Sequence, residues 1–269
     1  DYTIVLSERP TTLMPGGGMA GPLHGAVAPH APATGPAQAM GASDTFFMNG
    51  KSWPEADPLR VKKGERVRLR LINAGSMSIA AKTALANSGL FSNTGTVYST
   101  TTGLTNSGTW NNAGTLNVNG TPTQDMSAQS IFTNTGSLSN TGTLASANGT
   151  IRNRGSLLNE GTVTNISSNY IGEWGRFTNY AGASLVNRGS FSTNHVLDNA
   201  GTITNTGTLT ASYQLNNLAG AMLTNAAGAA VKGRLNNSGT VDNQGSVQSV
   251  DNAGVFTHGA GATQAEGVF

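Results

Sequence analysis

Two copies of one short unit follow each other in the stretch Asn134-Thr135-Gly136-Ser137-Leu138-Ser139-Asn140-Thr141-Gly142-Thr143-Leu144. Each copy reads Asn, any residue, Gly, Ser or Thr, and then an apolar residue. From about residue 85 onward such units recur in pairs, and the first Asn of each pair is Asn87, Asn106, Asn134, Asn153, Asn179, Asn199, Asn217 and Asn237. Successive positions differ by 19, 28, 19, 26, 20, 18 and 20 residues, and a period near twenty residues is the sequence signature of a solenoid.

Apolar residues stand at fixed distances from these Asn residues and fall into three rows. The first row lies two residues before the first Asn of a pair and contains Leu85, Leu104, Phe132, Ile151, Phe177, Leu197, Leu215, Leu235 and Val250. The second row lies four residues after the same Asn and contains Phe91, Trp110, Leu138, Leu157, Ile203, Val241 and Phe256. The third row follows the second Asn and contains Val97, Leu116, Leu144, Val163, Phe191, Leu209 and Val247. Three rows imply three short strands per repeat, so the sequence predicts an all-β fold, a three-sided parallel β-helix of about nine coils.

The recurring Asn and Gly residues suit the corners of such a helix. Glycine accepts the positive φ that a sharp corner needs, and Asn tolerates the same region. Coils stack about 4.8 Å apart, so each side-chain amide can hydrogen-bond to the equivalent Asn one coil above and below. We therefore predict a structural ladder that includes Asn106, Asn134, Asn153, Asn199 and Asn237.

Composition narrows the classes of function. Only 10% of the 269 residues are charged, 6% are aromatic, and the net charge is +2. Nine Lys and Arg lie in residues 1–86, and the six in the repeat region are opposed by seven acids, so we expect no nucleic-acid partner. With no Cys in the chain, neither disulfides nor thiolate metal sites can hold the fold together.

The chain carries no signal for a membrane span. No apolar run approaches the roughly 18 to 20 residues that cross a bilayer as a helix, so we expect no transmembrane segment. The sequence begins at Asp1 without a basic and apolar leader. This favours a mature or excised piece, part of a longer exported protein.

Four segments of the chain differ in composition. Residues 1–9 alternate enough to form a strand, and residues 10–43 are rich in Pro, Gly and Ala, so we expect a flexible linker there. Strand signals return over residues 44–78, where apolar residues alternate with arginines. Residues 79–269 carry the predicted β-helix.

One part of the N-terminal region resembles a cupredoxin domain of the multicopper oxidases. The resemblance rests on Phe47-Met48-Asn49-Gly50-Lys51-Ser52-Trp53-Pro54 and on residues 58–73, and it extends loosely over residues 1–78. It implies a partial cupredoxin-like β segment. In that family a His-rich segment with copper ligands follows, whereas residues 74–81 contain no His here.

Copper binding needs several imidazoles that converge on one ion, often with a thiolate. The four histidines of this chain are widely separated, at His24, His30, His195 and His258. We therefore expect no copper and no other cofactor. A copper-binding fragment like a multicopper oxidase is the alternative.

The repeat region, residues 85–257, resembles the filamentous haemagglutinin class of secreted bacterial exoproteins and autotransporter passengers. The paired Asn-x-Gly-Thr-Leu turns carry this resemblance. It implies a right-handed β-helix in an extracellular or cell-surface protein of a Gram-negative bacterium. It also implies a role in adhesion or as a stalk, without identifying a receptor. We expect a non-catalytic structural or adhesive rod, with an unidentified host or bacterial surface glycan or protein as partner.

Insertions interrupt the repeat at several places. Three turns are longer than the others, at residues 179–185, 217–223 and 225–231, and longer excursions lie at residues 119–130 and 165–176. In solenoids such insertions emerge on the surface and often carry binding. The second excursion contains an aromatic and charged cluster of Tyr170, Glu173, Trp174 and Arg176. We interpret it as a contact loop for a sugar or a protein, or as a loop that only covers the rod.

A polysaccharide-acting β-helix enzyme is a second alternative, because such enzymes cluster carboxylates, Lys or Arg on one face. The candidate acids are Asp125, Glu160, Glu173, Asp198, Asp242, Asp251 and Glu266, and they are scattered along the sequence. Glu160 and Arg188 occupy the same turn position one coil apart. We predict an exposed ion contact between these two coils, not an active site.

Ice or mineral binding is a third alternative, since flat arrays of Thr can order water or ions. Thr96, Thr115, Thr143 and Thr162 align after second turns, but Ser190 and Ala229 break this row. Thr and Ser beside a Gly corner are also expected for turn chemistry alone.

Overall fold

The computed structural model describes residues 2–9, 45–48, 51–52, 69–79, 84–100, 103–120, 130–167 and 175–268. The linker predicted for residues 10–43 lies outside the described residues, and so does most of the cupredoxin-like segment at residues 44–78. The described residues form short strands joined by corners and contain no helix. This confirms the predicted all-β class.

The strands are short and regularly spaced. In chain order they are β1 Tyr2–Arg9, β2 Thr45–Met48, β3 Lys51–Ser52, β4 Leu69–Asn73, β5 Ser76–Ile79, β6 Ala84–Asn87, β7 Leu90–Asn93, β8 Thr96–Ser99, β9 Gly103–Asn106, β10 Thr109–Asn112, β11 Thr115–Asn119, β12 Ile131–Asn134, β13 Ser137–Asn140, β14 Thr143–Ala147, β15 Thr150–Asn153, β16 Ser156–Asn159, β17 Thr162–Ile166, β18 Phe177–Asn179, β19 Ser184–Asn187, β20 Ser190–Thr193, β21 Val196–Asn199, β22 Thr202–Asn205, β23 Thr208–Asn217, β24 Met222–Asn225, β25 Ala230–Asn237, β26 Thr240–Asn243, β27 Ser246–Asn252, β28 Val255–His258 and β29 Thr263–Val268.

These strands stack in three parallel columns, with one strand of every coil in each column. Stack 1 runs from β6 through β9, β12, β15, β18 and β21 into the second halves of β23, β25 and β27. Stack 2 runs from β4 to β28, and stack 3 runs from β5 to β29. Nine successive coils follow from Ala84 onward, which confirms the predicted parallel β-solenoid.

The stacks belong to two large sheets. Stack 2, extended by β1, β2 and β3, forms a 13-stranded sheet. Stacks 1 and 3 join into a 16-stranded sheet, because β23, β25 and β27 each continue from stack 3 into stack 1. Register shifts in the pairing of β25 with both neighbours shorten this passage towards the C-terminal coils.

In-register pairing brings the three apolar rows into the interior. In stack 2, for example, Trp110 pairs with Phe91 on one side and with Leu138 on the other. The Trp110 ring lies 4.1 Å from the Phe91 ring, centroid to centroid, and 5.5 Å from the Phe132 ring across the interior. The rows form one continuous hydrophobic core along the axis, with Leu85 and Phe256 only partly buried near its ends.

Asn side chains form two buried ladders, at the corner between stacks 1 and 2 and at the corner between stacks 2 and 3. The first contains Asn87, Asn106, Asn134, Asn153, Asn179, Asn199, Asn217, Asn237 and Asn252. The second contains Asn73, Asn93, Asn112, Asn140, Asn159, Asn187, Asn205, Asn225 and Asn243. In both, each Nδ2 donates to Oδ1 of the next Asn at 2.7 to 2.9 Å. The ladders thus hydrogen-bond the corners of successive coils to each other.

The ladder amide also holds the backbone. Nδ2 of Asn153 donates a second hydrogen bond to the carbonyl oxygen of Ser184 at 2.8 Å, and Oδ1 of Asn199 accepts one from the amide of Gly201 at 3.2 Å. A carboxylate in this place would lack both donors and would repel its neighbours. Asn therefore satisfies its own buried polar atoms in rungs such as Asn153 and Asn199, whereas Oδ1 of the terminal rung Asn73 is buried without a hydrogen bond among the described residues.

The expected reason for the corner glycines is wrong at the regular corners. The described glycines with positive φ are Gly175, Gly182, Gly220, Gly228, Gly233 and Gly261, none of them in a regular corner, and the described non-Gly residue with positive φ is Asn148, which belongs to neither ladder. Regular corners need Gly because coils approach closely: a Cβ on Gly142 would lie 2.1 Å from the carbonyl oxygen of Gly114. Positive φ occurs instead between stack 3 and stack 1, at Asn148, Gly175 and Gly233, and in the longer turns. The longer turns are the three predicted from sequence and a fourth between β28 and β29, around Gly261.

The solenoid begins before the expected boundary at residue 79. Strands β4 and β5 pair with β7 and β8, and Asn73 is buried as the first rung of the second ladder. Strand β1 lies parallel to β4 on the far side, followed by antiparallel β2 and β3. Segment 69–78, placed by sequence in the cupredoxin-like piece, is therefore part of the stacked coils.

The row of hydroxyl side chains on stack 3 aligns as expected up to Thr208. Thr96, Thr115, Thr143 and Thr162 pair in succession, and Ser190 and Thr208 follow. The residue that pairs with Thr208 is Ala230. The predicted interruption at Ala229 is therefore shifted by one residue.

Candidate functional site

The third corner, between stack 3 and stack 1, is the variable corner of the solenoid. Both long insertions predicted from sequence fall at this corner, between β11 and β12 and between β17 and β18. The other two corners are fixed by the Asn ladders, whereas neither ladder passes through this one. Insertions at the variable corner therefore leave the stacking of the coils intact.

The second excursion is anchored on both sides by described residues. The backbone amide of Ser167 donates to Oδ1 of Asn194 at 2.8 Å, and Nδ2 of Asn194 donates to the carbonyl oxygen of Ser167 at 2.9 Å. Nδ2 of Asn165 donates to the carbonyl oxygen of Gly175. Gly175 has φ +69°, and a Cβ there would lie 2.2 Å from the Cβ of Ser167. The two ends of the excursion are thus adjacent and tied to the rod.

The contact cluster predicted on this excursion is only partly described. Tyr170, Glu173 and Trp174 lie outside the described residues, and their role stays a prediction. Arg176 is described, and its Nε lies 2.8 Å from Oδ2 of Asp198 on the next coil. The Arg176 side chain is 33% exposed and that of Asp198 is 12% exposed, so this ion pair is shielded from solvent on one side.

A row of polar side chains continues from Asp198 along the outside of stack 1. Nδ2 of Asn216 donates to Oδ1 of Asp198 at 2.7 Å, and Nδ2 of Asn236 donates to Oδ1 of Asn216 at 3.2 Å. Gln214 also donates to Oδ1 of Asn216. Asp198, Asn216 and Asn236 belong to three successive coils, so the row links these coils on the outer surface.

Two rings lie at the edge of this row, on the variable corner. His195 is buried, with 5% of its surface exposed, and its ring centroid lies 6.2 Å from that of Tyr213. Tyr213 is 59% exposed. Burial lowers the pKa of His195, and the neighbouring Arg176 lowers it further, while Asp198 partly opposes the shift. The buried imidazole thus lies beside an exposed phenol ring.

A second ion pair lies on the same side of the rod, one coil beyond Asn216. Arg234 Nη2 is 3.0 Å from Asp251 Oδ2, and both side chains are more than half exposed. We call the outward side of stack 1, together with the two rings at its edge, the polar face. It consists of Arg176, His195, Asp198, Tyr213, Gln214, Asn216, Arg234, Asn236 and Asp251.

Sequence reasoning missed the polar face because its acids are far apart along the chain. The missed signal is the residue directly before each ladder Asn. Asp198, Asn216, Asn236 and Asp251 all hold this position, and parallel pairing places them in one row. When residues are numbered by their position within the repeat, these four residues share one position and so form one row.

The spacing within this row does not suit a pair of glycosidase carboxylates. Asp198 and Asp251 are separated by three coil steps, which amounts to about 14 Å at ~4.8 Å per step. The two carboxyl groups of a glycosidase lie about 5 to 9.5 Å apart. Glu160, another candidate acid, lies at the corner between stacks 2 and 3, where its Oε1 is 2.9 Å from Nη1 of Arg188. This confirms the ion contact predicted between these coils.

Within the described ranges, no three His, Cys, Asp or Glu side chains are grouped so that they could hold a metal ion. None of the described segments is a helix of the length and apolar character needed to cross a membrane.

Fold and surface together define the class of this molecule as a parallel β-solenoid with two ladder-locked corners and one variable corner. No protein-family model matches the chain, and the searches of curated proteins and of solved structures gave no match either.

Proposed function

We propose that this chain is a non-catalytic structural and adhesive rod that works outside the cell or on a bacterial cell surface. The observation that carries the proposal is that the three corners of the solenoid differ in structure. Two corners are closed by hydrogen-bonded ladders in every coil. The third is the corner at which the two long insertions occur, and it borders the polar face. A stiff shaft with one free side is suited to hold a contact surface away from its anchor.

The dimensions support a rod. Nine coils at ~4.8 Å per coil give a shaft of about 40 Å, and the chain of apolar contacts runs through it without a break. The resemblance to filamentous haemagglutinin-like exoproteins agrees with this role. As part of the proposal, the partner is a glycan or protein on a host or bacterial surface.

Adhesion is tested with beads that carry the purified chain at a defined orientation. We expect coated beads to bind epithelial or bacterial cells more than beads coated with an unrelated β-solenoid of equal length. Periodate treatment of the cells separates glycan from protein partners, because it destroys sugar diols. Equal binding by both bead types would contradict the adhesive role.

Catalysis is tested separately, by incubating the chain with a panel of plant, bacterial and animal polysaccharides. We expect no release of reducing ends and no unsaturated products over many hours. Product release that scales with protein concentration would instead support the polysaccharide-acting enzyme.

A further inference from the structure

We propose that the polar face binds a neutral oligosaccharide that lies along the solenoid axis, with the ring of Tyr213 as its stacking platform. This inference rests on the proposed adhesive function and names the ligand class of that function. It assigns the contact to strands β21 to β27, beyond the excursion on which sequence analysis placed the contact cluster.

Tyr213 has the properties of a platform. Its side chain is largely exposed, although aromatic rings usually bury most of their surface. The buried ring of His195 lies beside it, tilted by 32°, so one side of the phenol is supported by the rod. An exposed and supported ring offers a flat apolar surface to the C–H groups of a sugar.

The amides of the polar face supply the polar half of such a site. Gln214, Asn216 and Asn236 are partly exposed, and an amide carries both donors and acceptors in one plane. Oδ1 of Asn236 is itself buried, so this residue contributes its donor side. Hydroxyl groups of a sugar need both kinds of partner. The internal bonds from Asn216 to Asp198 and from Asn236 to Asn216 hold these amides in fixed orientations, which reduces the entropy lost on binding.

The spacing of the row indicates how the ligand lies. Equivalent side chains repeat every ~4.8 Å along the axis, which is close to the rise per sugar in an extended β-linked hexose chain. Successive sugars can therefore meet successive rungs of the row. An oligosaccharide that lay across the axis would contact the row with only one of its sugars.

The charges of the polar face point to a neutral ligand. Arg176 is paired with Asp198 at 2.8 Å, and Arg234 is paired with Asp251 at 3.0 Å. An anionic glycan would have to compete with these carboxylates for the guanidinium groups. Neutral hydroxyl groups can bind the exposed amides while both ion pairs stay intact.

The experiment titrates the whole chain with soluble cello- and xylo-oligosaccharides, using calorimetry, and with sulfated heparin fragments for comparison. We expect binding of a neutral oligosaccharide, about five- to tenfold weaker binding for Tyr213→Ala, and a change below about threefold for Tyr213→Phe, because Phe keeps the stacking surface. Tyr98→Ala is the matched control, since Tyr98 is an exposed Tyr on the outside of stack 3. Its affinity should equal that of the wild type.

A second measurement does not depend on the variants. In the wild-type chain, the ring protons of Tyr213 should shift on addition of the oligosaccharide, while those of Tyr98 stay in place. Equal effects at the two tyrosines, or preference for the sulfated fragments, would overturn the inference. A chain that adheres to cells but binds none of the neutral oligosaccharides would overturn it too, and the adhesive function would survive; loss of both would overturn both.

Discussion

Nδ2 of Asn153 donates to Oδ1 of Asn179 at 2.8 Å across 26 residues of sequence, and Asn134 donates to Asn153 at the same 2.8 Å across 19 residues. The longer interval contains the excursion between β17 and β18. Its extra residues fall at the variable corner, so the hydrogen-bond distance between successive rungs is the same with and without the insertion. The ladders thus fix the positions of the coils. The two longest insertions between rungs fall at the variable corner, and the ladder corners accept only short extensions such as the turns around Gly182 and Gly228.

Replacement of a central rung should be strongly destabilising. Asn153→Ala removes the hydrogen bonds to Asn179 and Ser184 and leaves the amide of Asn134 without its acceptor. Each unsatisfied buried group costs about 1–3 kcal/mol, so we expect a loss of about 3 kcal/mol or more. Urea unfolding followed by circular dichroism measures it.

Thr133→Ala is the control for this prediction. Thr133 directly precedes a rung, but it occupies a partly exposed position in β12. We expect its unfolding free energy to stay within about 0.5 kcal/mol of the wild type. A similar loss in both variants would show that the ladder contributes no more than an ordinary surface position.

Substitutions at two glycines distinguish the effect of close contact between coils from the effect of backbone conformation. Gly142→Ala puts a Cβ 2.1 Å from the backbone oxygen of Gly114, so coils must move apart, and we expect a loss of at least about 4 kcal/mol. Gly182→Ala meets nothing within 4 Å but sits at φ +79°, which costs about 1–2 kcal/mol. Thermal melts of the two variants rank them, and the reverse order would refute the contact explanation.

The sequence was sufficient for the fold because a solenoid is encoded locally. One period contains all three strands and both ladder corners, so the spacing of Asn87, Asn106 and Asn134 already determines which residues pair. The physical reason for glycine at the regular corners could not be predicted as easily, because contacts such as Gly142 to Gly114 exist only between coils. Local turn chemistry suggested positive φ, and inter-coil distance turned out to be the cause.

The candidate site was harder to predict than the fold. Arg176 and Asp198 lie 22 residues apart in the numbering, and their contact depends on where the excursion that ends at Arg176 rejoins the rod. Sequence analysis therefore found Arg176 as part of a loop, and it treated Asp198 as an isolated acid. The exposed position of Tyr213 follows from β23 continuing through the variable corner, a feature without any repeat signal.

Two of the ion pairs that join neighbouring coils should differ in strength. Glu160 and Arg188 are 41% and 58% exposed, so a double-mutant cycle should give a coupling below about 1 kcal/mol. Asp198 is only 12% exposed, so Arg176→Ala leaves a shielded carboxylate without its cation and should cost about 2–3 kcal/mol.

Salt provides an independent check on this difference. Raising the ionic strength to 1 M should remove most of the coupling of Glu160 with Arg188, because exposed charges are screened. The effect of Arg176→Ala should change less. In low salt, a coupling energy of Arg176 with Asp198 no larger than that of Glu160 with Arg188 would contradict the role of burial.

Stability should fall on mild acidification because of His195. Its pKa is lowered in the folded chain, mainly by burial and also by Arg176, while Asp198 partly offsets the shift and Tyr213 lies beside the ring. In the unfolded chain the imidazole titrates near 6.5. Below that pH the unfolded state binds more protons than the folded state, so the stability present above pH ~6.5 is lost as the pH falls.

Thermal melts at pH 7.5 and 5.5 measure this effect in the wild type, in His195→Gln and in His258→Gln. The wild type and His258→Gln should melt at lower temperature at pH 5.5, because both keep the buried imidazole and His258 is exposed at the C-terminal end of its stack. His195→Gln should lose most of this difference, since Gln does not titrate. An unchanged pH dependence in His195→Gln would assign the acid sensitivity to other groups and would refute the role of His195.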